Sequence, residues 1–292
     1  MAGDLMSVAS EESRPAWQQA LVEQLLETFA AEDYQPPLLP GAALQLLSLA
    51  RDPDVPMSKF ISVLETEPLI VARVIRTAQS PFYSGGARVK TIEDAVLRLG
   101  IRAISLIFTE AAMHGGVFSS PMFQEPMQAV RRHSTATAHI GRKLAERIGQ
   151  PGDRVYLCGL LHDIGIAACL LVAPQLESPE GRPFTYDELT APIYDVHEQA
   201  GHILSTLWNL PEGLRWVFAH HHSFALRTHV SPMAALVCLA SWVASESGAG
   251  AIDVGETEQA AIAAQQFGWG DHLPDLVAFG TSLVAELGRG ES

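Results

Sequence analysis

Apolar residues recur every three or four positions along most of this chain. The first such stripe holds Trp17, Leu21, Leu25 and Phe29. Because an α-helix has about 3.6 residues per turn, these side chains would lie on one face of a helix and point toward a core. No segment of useful length alternates between apolar and polar residues, as a half-buried strand would. The sequence therefore predicts an all-α protein.

Proline-rich and glycine-rich segments separate the helical stripes. The segment YQPPLLPG (Tyr34–Gly41) ends the first stripe, and the loop PQLESPEGRP (Pro174–Pro183) interrupts the second half of the chain. Between them, Thr91 and Asp94 form a Thr-x-x-Asp pattern that caps the start of a helix, and Gly100 suits a helix C-terminus. We therefore expect short helices joined by tight turns.

The charge of the chain excludes some partners. Its 292 residues include 33 acidic and 19 basic side chains, which gives a formal net charge of −14. Such a surface repels the phosphates of nucleic acids and of anionic lipids. The hydrophobic content of 48% is ample for a folded core. We therefore expect a folded protein that binds neither nucleic acid nor a membrane.

The cysteines and the N-terminal residues indicate a compartment. Cys158, Cys169 and Cys238 each lie among apolar residues, without a close pair, as buried thiols do in a reducing compartment. The N-terminal sequence MAGDLMSVASEESR carries acids where a signal peptide carries bases. No later run approaches the roughly 18 to 20 apolar residues of a membrane span. A cytoplasmic protein is expected.

Several histidines fall on apolar stripes and should therefore point into the core. His133 and His197 each head a stripe, and His221 ends the stripe that begins at Leu214. The HDIG sequence (His162–Gly165) adds an adjacent histidine and aspartate directly after the apolar run VYLCGLL. Buried imidazoles and carboxylates are costly unless they are paired, so these positions need a common partner.

A divalent metal ion is the partner that fits this set. One buried histidine is usually held by a local hydrogen bond and binds no metal. Several inward histidines with an aspartate reverse that expectation, because one cation satisfies several imidazoles and a carboxylate at once. Ligands of these two kinds without a thiolate suit iron, manganese, zinc or nickel. We predict a bound divalent ion at this set of residues.

The motifs of the second half resemble the HDOD family, a branch of the HD superfamily of metal-dependent phosphohydrolases. They are RHS (Arg132–Ser134), GLLHDIG (Gly159–Gly165), HEQAG (His197–Gly201), WNLP (Trp208–Pro211) and HH (His221 and His222). In the first half, the N-terminal bundle of the family is similar to LPGAALQLLSLARDPD, LETEPLIVARVIRTAQSPFYSGG and TIEDAVLRLGIRAI, including the small-residue and aromatic turn at Ser80–Tyr83. The resemblance covers nearly everything after about Leu38, including the closing helices.

This resemblance implies an architecture of three parts. An N-terminal helical bundle packs on an HD-type helical domain, and a C-terminal helical extension follows. On this chain we expect a disordered leader over residues 1–13 and the bundle over 14–125. The metal-site domain is expected over 126–248, and the closing helices over 249–292.

The resemblance also implies a set of ligands for one or two divalent metal ions. Carried over residue by residue, these are His133, His162, Asp163, His197, His221 and His222. Ser241 stands where the superfamily has a final aspartate ligand, and Ile166 stands where many active members carry a lysine. No GYP motif follows His222, which disfavours a cyclic di-GMP phosphodiesterase. These two replacements disfavour tight metal binding and catalysis.

Three functions remain open on the sequence alone. The family resemblance implies a regulatory or signal-output module that contacts a partner protein and holds a metal ion. The second reading is a metal-dependent phosphohydrolase acting on a nucleotide or cyclic dinucleotide, in which Arg131 and Arg132 would contact phosphate. The third is a nucleotide-sensing site without catalysis, because a lost anionic ligand leaves a more positive site that attracts phosphate.

Overall fold

The computed structural model describes residues 15–36, 41–52, 54–79, 89–115, 119–226, 229–252 and 257–290. The expected leader over residues 1–13 and the turn at Ser80–Tyr83 lie outside the described residues.

Thirteen α-helices make up nearly all the regular structure of the described residues, and the all-α prediction is confirmed. The helices are α1 (Ala16–Ala30), α2 (Gly41–Leu49), α3 (Met57–Leu64), α4 (Pro68–Gln79), α5 (Ile92–Gly115), α6 (Gln124–Arg147), α7 (Gly152–Leu161), α8 (Ile164–Val172), α9 (Tyr186–Leu207), α10 (Glu212–His220), α11 (Pro232–Ala244), α12 (Thr257–Gln266) and α13 (Leu273–Gly290). Short 3-10 turns lie at Ala173–Gln175 and Gly270–His272, and a π-helical turn at Ser245–Ala249. The strands β1 (Ala225–Leu226) and β2 (His229–Val230) form a two-residue antiparallel pair.

The helices α2 to α5 enclose the smaller of two cores, in which Phe60, Ile104 and Phe108 are fully buried. The predicted cap of α5 is present: the Asp94 N–H donates to Thr91 Oγ1 over 3.1 Å, and the Thr91 N–H donates to Asp94 Oδ2 over 3.1 Å. Gly100 interrupts α5 with a φ of +79°, which glycine adopts without steric cost. The helix resumes directly after this kink, because the buried stripe through Ile104 and Phe108 continues.

The larger core is formed by α1 together with the helices from α6 to α13. Leu21, Leu25 and Phe29 lie on the buried face of α1, as the sequence predicts, and α1 packs on α9 and α8. Glycine admits a close contact between α6 and α7 in this core, since a Cβ on Gly159 would lie 2.9 Å from Ala138 Cα. The first helix thus belongs to the larger core, and the domain limits expected above stay a prediction.

One apolar stretch contradicts the expectation that no run approaches the length of a membrane span. Gly152–Gln175 is long and apolar enough to cross a membrane by length and composition. It includes α7 and α8, and 94% of its most apolar window is buried inside the fold. A buried core segment passes the same test, so this stretch is weak evidence for a span.

Candidate metal centre

Four helical segments of the larger core carry the predicted ligands. His133 lies on α6, His197 lies on α9, and the pair His162 and Asp163 occupies the junction between α7 and α8. His221 and His222 follow the last residue of α10. The structure brings all six side chains into one cluster: His133, His162, Asp163, His197, His221 and His222. The cluster is buried, except that His222 is partly exposed.

Gly165 explains how α8 and α9 come close enough to build this cluster. A Cβ at this position would lie 1.9 Å from the backbone oxygen of His197 and 2.8 Å from the backbone nitrogen of Gly201. Any side chain would therefore push the two helices apart. The final glycine of the HDIG sequence thus holds His197 of α9 beside Asp163 at the start of α8.

Asp163 lies at the centre of the cluster. Its Oδ2 is 3.2 Å from His162 Nε2 and 3.5 Å from His133 Nε2, and its Oδ1 is 3.3 Å from His221 Nε2 and 3.8 Å from His197 Nε2. Burial raises the pKa of Asp163, but the imidazoles of His162, His221 and His133 outweigh it and hold the pKa well below its usual range. Asp163 is therefore an ionised carboxylate surrounded by imidazoles.

Backbone carbonyls orient three of the imidazole rings. A carbonyl oxygen only accepts hydrogen bonds, so the ring nitrogen that faces it carries the proton. The second ring nitrogen then presents its lone pair, which is the arrangement that a metal ligand needs. The three pairs are His162 Nδ1 with the Gly159 oxygen (2.8 Å), His197 Nδ1 with the Tyr194 oxygen (2.5 Å) and His133 Nδ1 with the Ala249 oxygen (3.1 Å).

Glu198 is a site residue that the sequence reasoning missed. Its Oε1 accepts the backbone N–H of His222 over 2.9 Å and lies 3.5 Å from His221 Nδ1. Glu198 thus places a carboxylate beside Nδ1 of the His221 ring, whose Nε2 lies 3.3 Å from the Asp163 carboxylate on the other side. Its place directly after His197, in a helix whose inward face carries that histidine, was the available signal. No sequence signal could have identified the Ala249 oxygen as a partner of His133, because every residue has a backbone carbonyl.

Burial keeps the last two histidines neutral. Desolvation lowers the pKa of His221 well below its usual range, and the neighbouring His222 lowers it further. Desolvation and the adjacent His197 have the same effect on the pKa of His222. Neutral imidazole is the form that binds a metal ion.

The donor set fits a divalent metal ion. His197 Nε2 lies 3.2 Å from His221 Nε2 and 3.0 Å from His222 Nε2, and the Asp163 carboxylate lies beside them. A cation placed among these nitrogen and oxygen atoms would bind several of them at once. Imidazole and carboxylate without thiolate suit iron, manganese, zinc or nickel.

Ser241 occupies the place expected for the missing final ligand. It is buried on α11, and its Oγ lies 3.1 Å from His133 Nε2. Because the Nδ1 of this ring faces a carbonyl, Nε2 accepts the hydrogen bond and the Ser241 hydroxyl donates it. Ile166 is buried on α8, so an apolar side chain stands where the lysine would be.

Arg131 and Arg132 are not brought into the cluster. They precede His133 on α6, where Arg132 is exposed and Arg131 is half-buried. Successive helical residues point about 100° apart, so both side chains point away from the buried ring of His133. His220 also lies outside the cluster and packs on Trp216, with ring centroids 4.7 Å apart. Two of the three consecutive histidines, His221 and His222, therefore face the site.

An all-helical fold around a buried cluster of histidines and one aspartate defines an HD-type protein. The HDOD domain family model matches residues 37–224, which is more than half of the chain. The chain therefore belongs to the HDOD family.

Solved structures share this fold at low sequence identity. A Shewanella amazonensis SB2B protein, provisionally named a metal-dependent phosphohydrolase, has a TM-score of 0.70 and 23% identity, covering 88% of this chain and 91% of its own. An HDOD domain protein of unknown function from Geobacter sulfurreducens has a TM-score of 0.65 and 23% identity, with 93% and 94% covered. A provisionally named signal transduction protein from Marinobacter aquaeolei VT8 has a TM-score of 0.62 and 21% identity, with 94% and 66% covered.

A curated relative matches only in part. An uncharacterised protein of Treponema pallidum (strain Nichols) is 25% identical over an alignment of 196 positions, and the match covers 64% of this chain. The match covers 37% of that protein, so this chain corresponds to little more than a third of its length.

Proposed function

We propose that this chain is a regulatory HDOD module of a signalling system, which holds a divalent metal ion in the histidine cluster and does not hydrolyse phosphoesters. The hydrogen bond between Ser241 and His133 carries the proposal. It uses the Nε2 lone pair that a catalytic ion would need, and it does so with a neutral hydroxyl where the final carboxylate ligand is expected.

The chemistry of the cluster supports this proposal over hydrolysis. Bound metal would polarise a phosphoryl oxygen and activate water in an HD-type hydrolase. Here the chain's own residues supply one carboxylate to the cluster, which is Asp163. The buried Ile166 offers no cation to a phosphate. Arg131 and Arg132, the proposed phosphate contacts, point away from the site.

A partner protein is part of the proposal. The formal charge of −14 disfavours binding to nucleic acid and to anionic membranes. The helices around the smaller core offer an additional surface for a regulatory partner protein. The provisional name of the Marinobacter protein, a signal transduction protein, agrees with this role. We also propose a cytoplasmic location, in keeping with three buried free thiols.

The test combines metal content with turnover. Protein purified without a metal-affinity tag is analysed for metal, beside Asp163→Asn, and both are assayed with bis(p-nitrophenyl) phosphate. We expect bound metal in the wild type, little in the variant and no turnover in either. Wild-type hydrolysis that Asp163→Asn abolishes would establish the hydrolase reading instead.

Two further outcomes would also overturn the proposal. A metal-free protein after growth in metal-supplemented medium makes the histidines purely structural. A thermal shift with nucleotides, without turnover, favours the nucleotide-sensing reading.

A further inference from the structure

We propose that Tyr194 is a positioning residue that holds the His222 ring in the histidine cluster. This inference rests on one part of the proposed function, namely that the cluster binds a metal ion. It adds a residue from outside the predicted ligand set and assigns to it the orientation of a predicted ligand. Tyr194 lies half-buried on α9, three residues before His197 and four residues before Glu198.

The rings of Tyr194, His197 and His222 contact one another. The centroid of the Tyr194 ring lies 5.3 Å from that of His197 and 5.3 Å from that of His222. The centroids of the two imidazoles are 4.9 Å apart. All these distances fall within the range of about 4.5 to 7 Å in which aromatic rings pack favourably. Each ring therefore packs on the other two.

His197 gives the Tyr194 ring a fixed support. It is buried on α9, and its Nδ1 donates to the backbone oxygen of Tyr194 over 2.5 Å. The planes of the two rings are inclined by 30° to each other. Residues three positions apart lie on the same face of a helix, so α9 alone sets the relative placement of these two rings. The surface on which His222 packs is therefore built within one helix.

His222 is the cluster residue that gains most from such a support. It follows the last residues of α10, and it is partly exposed whereas the other five residues of the cluster are buried. A side chain that can change rotamer near solvent loses conformational entropy when a metal ion fixes it. Contacts that hold the ring beforehand reduce this loss and so raise the affinity for the metal.

Helix α9 contacts His222 at both its backbone and its ring. The Glu198 carboxylate accepts the His222 backbone N–H over 2.9 Å. The Tyr194 ring, about one turn earlier in the same helix, packs on the imidazole. Helix α9 thus supplies one predicted ligand, His197, and two residues that place another.

An aromatic side chain suits this role. The contact between Tyr194 and His222 is one between rings, so it restrains the imidazole without using the nitrogen lone pair that a metal ion needs. A serine or asparagine at this position would offer hydrogen bonds that compete for that nitrogen. The role therefore belongs to the ring of Tyr194, and phenylalanine should fulfil it as well.

The experiment is a competition titration of Co²⁺ against a chelating dye for the wild type, Tyr194→Phe, Tyr194→Ala and Tyr186→Ala. Tyr194→Phe should bind Co²⁺ as tightly as the wild type. Tyr194→Ala should bind it roughly 10- to 100-fold more weakly, a loss typical of residues that orient a metal ligand. Tyr186→Ala is the matched control, because Tyr186 is a half-buried tyrosine of the same helix that contacts Ala251. It should lower the urea midpoint of the metal-free protein and leave the Co²⁺ affinity unchanged.

A second pair of variants tests whether Tyr194 acts through His222. Tyr194→Ala should reduce the Co²⁺ affinity by a smaller factor in a His222→Gln background than in the wild-type background. The reason is that the imidazole held by Tyr194 is absent from that background, so the two substitutions are not additive. Equal factors in the two backgrounds would overturn the role assigned to Tyr194.

The outcomes separate this inference from the proposed function. A wild type that is metal-free as purified and binds no Co²⁺ defeats both. A wild type that binds Co²⁺ no more tightly than Tyr194→Ala overturns the inference and leaves the metal-holding module intact. Equal losses of affinity in Tyr194→Ala and Tyr186→Ala do the same, because they would reflect general destabilisation of α9. If Tyr194→Ala does not fold, Tyr194→Leu replaces it, since leucine keeps apolar volume without the flat ring; wild-type affinity in that variant overturns the inference.

Discussion

The side chains of the cluster make different contacts, although most of them are histidines. Asp163 contacts imidazoles from all the contributing segments, and it is the one carboxylate among the six residues of the cluster. His133 and His197 are both inward histidines with a carbonyl on Nδ1, yet a serine hydroxyl binds Nε2 of the first and imidazoles face Nε2 of the second. The two rings therefore differ in the group that faces Nε2.

Glu198 should strengthen metal binding without touching the ion. In Glu198→Gln the backbone N–H of His222 keeps an oxygen acceptor, but the negative charge beside His221 Nδ1 is lost. Changes of this kind cost roughly 10- to 100-fold in metal affinity. Competition titration with a chelating dye measures it, and Asp195→Asn, on an exposed residue of the same helix, is the matched control. Equal affinities of the two variants would show that Glu198 does not orient the ring.

Acid should destabilise the metal-free protein. The pKa values of His221 and His222 are lowered by folding from the ordinary value of 6.5, so the unfolded chain binds more protons just below that pH. Their contribution to stability is therefore complete above pH 6.5 and lost as the pH falls toward the folded-state pKa values. Urea midpoints above and below pH 6.5 measure this. The urea midpoint of the double variant His221→Gln, His222→Gln should depend less on pH than that of the wild type. The exposed His272→Gln is the control and should show the pH dependence of the wild type. A wild-type midpoint that does not change with pH would contradict the prediction.

The crossing of α8 and α9 is the element-level feature that builds the site. Gly165 brings the backbone of α9 against the start of α8, and the same close contact sets His197 beside Asp163. Gly201 faces this crossing from α9, but its Cβ position is 3.7 Å or more from every neighbouring atom. The two glycines therefore differ in what a methyl group would do there.

Gly165→Ala should separate the helices, and Gly201→Ala should not. The added methyl of the first variant meets the His197 oxygen at 1.9 Å, so the helices must move. Overpacking of this kind typically costs about 1 to 3 kcal/mol, and metal affinity should fall with it. Gly201→Ala gains up to about 1 kcal/mol from helix propensity. Urea unfolding and metal titration of both variants test this prediction. Equal free energies of unfolding and equal metal affinities for Gly165→Ala and Gly201→Ala would contradict it.

At the scale of the whole molecule, α5 joins the two cores. Ile104 and Phe108 of this helix belong to the smaller core, whereas Leu106 belongs to the larger one. The Tyr156 hydroxyl of α7 also donates a hydrogen bond to the Glu110 carboxylate of α5. A polar bond thus supplements the apolar contact between the cores.

Tyr156→Phe should weaken this junction. The ring keeps its packing, but the half-buried Glu110 loses a hydrogen bond, and hydrogen bonds to charged groups contribute roughly 1.5 to 3 kcal/mol. Tyr186→Phe is the control, because its hydroxyl donates to a neutral carbonyl, of Ala251, inside the larger core. The free energy of unfolding should fall more for Tyr156→Phe. Equal losses in the two variants would mean that a hydrogen bond to the Glu110 carboxylate contributes no more to stability than one to a neutral carbonyl.

Metal removal should lower the stability of the whole domain. The cluster of predicted ligands joins the α7–α8 junction to α9 and to the end of α10, and the unfolded chain has no such site. A ligand at 100 times its Kd stabilises the native state by about 2.7 kcal/mol. Calorimetry before and after EDTA treatment should therefore show a lower Tm. The Tm of Asp163→Asn should not respond to EDTA, and an unchanged wild-type Tm would contradict metal-supported folding.

The spacing of apolar residues alone was sufficient to predict the helices and the histidines that point into the core. The period of the apolar residues placed Leu21, Leu25 and Phe29 on a buried face, and it pointed His133, His197 and His221 toward a core. Local capping was also readable, because Thr91 and Asp94 interact within one turn. These features depend on nearby residues, whose geometry a helix dictates.

Only the tertiary structure decided how these parts meet. It packed α1 on α9, brought Glu198 behind His221, and set the Ala249 oxygen and the Ser241 hydroxyl on either side of the His133 ring. Such contacts join residues far apart in the chain, and a backbone oxygen has the same chemistry at every position. The sequence therefore identified a candidate metal cluster and the serine at its final position, whereas the partner of each ring nitrogen depended on how the helices pack.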